Sequence, residues 1–109
     1  MLVLVLIGRI VDMKEIVTTQ NNKKVLNFTV ANERYNGQEK VTDFFQAVAW
    51  EGTAEFISQY FKVGQLIVID GTLINNHYEK DGVRQYSEKI HVKKVEFAGY
   101  NKSDISEKE

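Results

Sequence analysis

The sequence predicts an all-β domain: a small barrel of five strands with one helix between the third and the fourth. Three observations lead there. Two stretches, Lys24–Tyr35 and Val41–Glu51, alternate side-chain character with the period of two that a strand imposes. Between Gly52 and Gly64, Ala54, Ile57 and Phe61 recur at helical spacing. Proline is absent, so no proline-rich linker divides the chain, and its 109 residues suit one domain with a modest core.

The first strand is read from the run Leu2–Val17. Both faces of its opening, Leu2, Leu4, Leu6 and Val3, Val5, Ile7, are apolar, which predicts a strand buried on both sides. Gly8 marks a bend, and Thr18–Lys23 is a polar turn. In the second strand, Leu26, Phe28 and Val30 make the core face. Asn36-Gly37 is a hairpin dipeptide, followed by a loop to Val41. The third strand puts Phe45, Ala47 and Ala49 inward and Phe44, Gln46, Val48 and Trp50 outward.

Gly52 breaks that strand, and Thr53 reads as the helix N-cap with Glu55 in the first turn. Ala54, Ile57 and Phe61, with Tyr60 beside them, face the core, so the helix plugs the barrel and carries no site of its own. Gln65–Ile74 is the fourth strand, bent at Gly71 and extended outward by Asn75–Glu79. Lys80-Asp81-Gly82 makes a hairpin tip. Arg84–Phe97 is the fifth strand, with Ile90, Val92, Val95 and Phe97 as core candidates. The step from even to odd numbering between Val92 and Val95 predicts a bulge at Lys93-Lys94. This order is the OB-fold arrangement, whose sheet face and loops bind oligonucleotides or oligosaccharides. Residues 1–99 form the barrel, and 100–109 are expected to be a short, polar, disordered tail.

Several function classes are excluded or weakened. No cysteine means no thiolate catalysis, disulfide or cysteine metal site, and it fits a cytoplasmic protein. His77-x-Glu79 has the spacing of a zinc-deaminase motif, but that site needs cysteine ligands. There is no glycine-rich phosphate loop, and the carboxylates are scattered among lysines. Neither an enzyme nor a cofactor or metal is expected. The MLVLVLI opening lacks a basic leader and a cleavage site, and is too short to span a bilayer. The net charge is −1 and the body is neutral, which counts against a polyanion partner.

The aromatic residues are more telling. Phe28, Phe45, Phe61 and Phe97 sit on apolar faces and are assigned to the core, and packing within the helix accounts for Phe56 and Tyr60. Tyr35, Phe44, Trp50 and Tyr78 lie in polar settings that burial within one small barrel does not explain. Two readings fit them equally. Exposed rings stack on nucleic-acid bases with little regard to sequence, while Lys and Arg neutralise phosphates. Aromatic residues are also enriched at subunit interfaces.

Four stretches carry a family resemblance. They are LVLIGRI at Leu4–Ile10, NFTVANER at Asn27–Arg34, the block from Thr42 through AEFISQYFKVGQLIVIDGTL to Leu73, and YEKDGVRQYSEKIHV at Tyr78–Val92. In this order and spacing they resemble bacterial single-stranded DNA-binding proteins of the tetrameric SSB family, from Leu2 to about Phe97. The resemblance implies an OB fold, a homotetramer and sequence-tolerant binding of single-stranded DNA, with no catalysis and no cofactor. It assigns base stacking to Tyr35, Phe44, Trp50 and Tyr78, and phosphate contacts to Arg9, Arg34, Lys62 and Arg84.

Two departures stand out. Replicative members end in a long tail with an acidic, Phe-terminated tip that recruits other enzymes. This sequence stops at Glu109 without one, so it is either a short accessory form or part of a longer chain, and tail-mediated recruitment is not expected. Gln46 and Glu51 stand where many members place basic groups, which predicts weaker, more salt-sensitive binding. The rival readings are a primosomal OB accessory protein and an OB-type protein-interaction subunit whose aromatic face a partner covers.

Overall fold

The computed structural model describes residues 2–98. Its elements are β1 (Leu4–Met13), β2 (Val17–Thr18), β3 (Lys24–Asn36), β4 (Glu39–Trp50), α1 (Glu51–Tyr60), β5 (Leu66–Lys80) and β6 (Val83–Phe97). Five long strands pair in the order β1-β5-β6-β4-β3, and a β1–β3 pairing closes the ring. The two-residue β2 hangs on the edge of β3. This is the all-β OB arrangement that the strand order predicts, with the helix between the third and fourth long strands.

β1 shows how the ring closes. Leu4–Arg9 pairs with β5, and Arg9–Met13 pairs with β3. Gly8 sits at the hand-over. A Cβ there would lie 2.5 Å from Val30 Cγ1 and 2.6 Å from Ala31 O, so the close approach needs the missing side chain. Only one face of β1 is buried, through Leu6 and Ile10. Val5 (65% exposed) and Ile7 (54%) point outward, contrary to the expectation of burial on both sides. The barrel has one interior, and among the described residues no layer covers the outside of β1.

The β3–β4 hairpin turns through Gly37 and Gln38, since Asn36 pairs with Glu39, so the strand resumes earlier than the predicted loop to Val41. The helix also starts earlier than predicted. Trp50 occupies the N-cap position with extended backbone and no side-chain cap, and Thr53 lies inside the first turn. Glu51 makes the corner at φ 53°, held by its Oε1, which accepts a hydrogen bond from the Lys24 N–H at 2.9 Å. Ala54, Ile57 and Phe61 then close one end of the barrel over Leu26, Phe28, Ile67 and Ile90.

The β5–β6 hairpin is long, its tip formed by Asp81 (φ 54°) and Gly82 (φ 78°). Asp70 pairs with Lys94 and Gly71 with Val92, so Lys93 is the extra residue of the predicted bulge. At Gly71 a Cβ would collide with the His91 carbonyl, so the crowded backbone admits only glycine. Two aromatic assignments change. Phe97 is 54% exposed, because it lies at the end of β6, where the barrel has run out. It stacks on Phe61 at 4.5 Å instead of entering the core. Tyr60 is exposed and packs only on Phe56, at 5.0 Å. Gly99 and the predicted tail 100–109 lie outside the described residues.

Candidate nucleic-acid interface

Residues paired directly across neighbouring strands share a face of the sheet. On β3 and β4 the outward pairs are Tyr35–Lys40, Glu33–Thr42, Ala31–Phe44, Thr29–Gln46, Asn27–Val48 and Val25–Trp50. Tyr35, Phe44 and Trp50 therefore share the outer face of one hairpin. Phe44 and Trp50 are six residues apart on one strand, about 20 Å at roughly 3.3 Å per residue.

β4 meets β6 in parallel through only two pairs, Ala47–Ile90 and Val48–His91. From there the face continues onto β5: His91 pairs with Thr72, Lys89 with Ile74 and Gln85 with Tyr78. Tyr78 thus joins the same outer face from the second hairpin. The four rings are 73% (Tyr35), 63% (Phe44), 40% (Trp50) and 48% (Tyr78) exposed. Rings that open belong to no core.

The predicted cations are placed unequally. Arg9 pairs with Ala31, which pairs with Phe44, so Arg9 lies in one row with that ring. Its guanidinium donates to the Gly64 carbonyl at 2.5 Å, which anchors it without neutralising it. A groove of about 440 Å³ runs beside this row, lined among others by Ile7, Arg9, Ala31, Thr42 and Phe44. Arg34 lies on the reverse face of its hairpin and donates to Asp43 at 2.6 Å through Nε. That hydrogen bond, and then the carboxylate's charge, raise the Arg34 pKa above its ordinary value. Arg84, paired with Glu79, lies on the face of the second hairpin opposite Tyr78. Lys62 is exposed in the α1–β5 connection, which belongs to neither hairpin.

Cations outside the predicted set also stand on the ring face itself: Lys80, two residues past Tyr78 on β5, and Lys40 and Lys89. Lys40 is directly opposite Tyr35 and pairs with Glu33 at 2.9 Å. Lys89 reaches from β6 across β4 to donate to Asn27 Oδ1 at 3.4 Å. Val48, paired with Asn27 on one side and His91 on the other, is buried although it faces outward. Period-two alternation could have placed Lys40; Lys89 depends on the parallel β4–β6 pairing, which has no local signal. Among the described residues, no group of three or more His, Asp or Glu side chains could hold a metal ion. No helix there is long and apolar enough to cross a membrane.

A barrel with this exposed aromatic face is matched by the model of the single-strand binding protein family over residues 1–98. The chain belongs to that family. It is 41% identical over 85 residues to single-stranded DNA-binding protein 2 of Streptococcus agalactiae serotype V, covering 75% of this chain and 65% of that protein. Identity is 37% over 97 residues to single-stranded DNA-binding protein 3 of Listeria innocua, covering 85% of this chain and 61% of the relative. The chain thus spans less than two thirds of the length of these relatives. Among solved structures, an SSB of Plasmodium falciparum in complex with ssDNA superposes with a TM-score of 0.76 at 19% identity. That match covers 88% of this chain and 91% of the other, and it shows a shared fold.

Proposed function

We propose that this chain binds single-stranded DNA with little sequence preference and without catalysis, by stacking bases on Tyr35, Phe44, Trp50 and Tyr78. The observation that carries this reading is that four open rings from two hairpins share one sheet face with Arg9, Lys40 and Lys89 beside them. Arg9 serves phosphates directly. Arg34, Lys62 and Arg84 act at the margins, where a strand leaves the face. The setting is cytoplasmic, in replication, recombination, repair or transformation, and no cofactor is required. Names borne by the relatives and the DNA in the Plasmodium complex support the same substrate.

The working form is a homo-oligomer, a homotetramer in the family's manner. The exposed aliphatic strip of Val3, Val5 and Ile7 on β1 supports this, because a second copy would cover it. The neutral body favours the rival reading of a protein-interaction subunit. One titration separates the two. Trp50 is the chain's single tryptophan, so its fluorescence reports on the face. Added oligo(dT) is expected to quench it, with an affinity whose logarithm falls with log salt by about 0.7 per phosphate neutralised. Absence of any binding in low salt leaves the interaction reading standing instead.

A further inference from the structure

The outer face does not stop at Trp50. Two residues beyond the Val48–His91 pair, on both parallel strands, stand Trp50 on β4 and Lys93 on β6. Immediately past Trp50 a second groove of about 440 Å³ opens between the first turns of α1 and the end of β6. It is lined by Gly52, Thr53, Phe56, Lys93, Lys94 and Val95. Phe56 presents a partly exposed ring there, steadied from behind by Phe61 and Phe97, both 6.2 Å away at steep interplanar angles. Opposite it the bulge pushes Lys93 out as the residue without a cross-strand partner. Lys94 follows, across from Asp70 on β5, its contact to Glu96 long at 3.9 Å and largely in solvent, where ion pairs hold weakly.

A supported open ring with Lys93 opposite it and Lys94 at the rim repeats, in one groove, the chemistry of the sheet face. We propose that this groove is a further subsite for single-stranded nucleic acid. It receives the strand as it leaves Trp50, with Phe56 stacking a base and Lys93 and Lys94 taking its phosphates. The occupant follows from continuity with the ring face and from charge. This extends the stacking reading of the preceding section and rests on it. It also gives the helix a role besides plugging the barrel.

The test uses the full chain. In a Trp50→Phe background, Phe56→Trp places the single fluorophore in the groove, and oligo(dT) is expected to quench it. Lys93→Gln with Lys94→Gln, on the parent, is expected to lower the salt slope for a long oligo(dT) by about 1.4, two phosphates at roughly 0.7 each, and to weaken binding several-fold in low salt. If the parent's Trp50 is quenched by oligo(dT) while the tryptophan at position 56 is not, and the lysine variant keeps the parental slope, the subsite is refuted and the ring face survives. If the parent binds no oligo(dT), the ring-face reading fails first. Quenching at position 56 by an acidic peptide and not by oligo(dT) would assign the groove to a protein and overturn the proposal. The lysine variant alters only exposed side chains, so its slope decides the matter even if the helix tolerates no tryptophan.

Discussion

The barrel has two kinds of exposed apolar surface. Val3, with Val5 and Ile7 on β1, forms an aliphatic strip, which Val68 continues across from Ile7 on β5 while Asp70 stands across from Val5. On β3 and β4, rings are set apart by Asn27, Thr29, Gln46 and Thr42. Both surfaces cost solvation free energy in a lone subunit, at roughly 25 cal/mol for each Å² of apolar area left in water. They differ in what relieves it. A mainly aliphatic strip, with Asp70 at its side, is best covered by another strip like itself. Rings spaced by amides, hydroxyls and cations suit a partner that is flat, apolar and charged by turns, which describes a base on its phosphate backbone. The proposed function assigns one face to assembly and the other to ligand.

Four variants put pressure on that division. Val5→Asp together with Ile7→Asp should have the largest effect: loss of self-association outright, read by light scattering, with the far-ultraviolet dichroism of the barrel kept because both residues already face water in the single chain. If the oligomer persists, the strip is not the interface. Next come Trp50→Ala and Tyr78→Ala. Each should weaken oligo(dT) binding by about 1–3 kcal/mol, roughly 5- to 150-fold, without changing the oligomer. Parental affinity in both would remove the stacking assignment. The smallest effect is expected from Asp43→Asn. It releases Arg34 from its carboxylate and removes a negative charge from the reverse face of the ring hairpin, so affinity should rise a few-fold and the salt slope steepen by about 0.7. An unchanged slope would place Arg34 outside the path of the strand.

The two regions were not equally legible in the sequence. The ring face was, because alternation in Lys24–Tyr35 and Val41–Glu51 is local and the Asn36-Gly37 turn keeps the hairpin in register. The β1 strip was not. Val5 and Ile7 are as apolar as core residues, and local hydropathy cannot tell an interior from a surface awaiting a partner. Phe97 failed for a related reason: its alternation after the bulge is correct, but the sheet ends before the residue can be enclosed. The start of α1 was missed because Glu51 is held in its positive-φ corner by the backbone of Lys24, 27 residues earlier. Lys89 lies on the ring face only through the parallel β4–β6 contact. In each case the missing information is a contact between distant parts of the chain.

The division between the two surfaces is tested most directly by photochemical cross-linking of the protein to oligo(dT), with the modified peptides mapped. The account predicts cross-links at Tyr35, Phe44, Trp50 and Tyr78 and none at Val3 or Val5, with Ile7 set aside because it borders the Phe44 groove. Cross-links concentrated on Val3 and Val5, with the four rings unmodified, would contradict it.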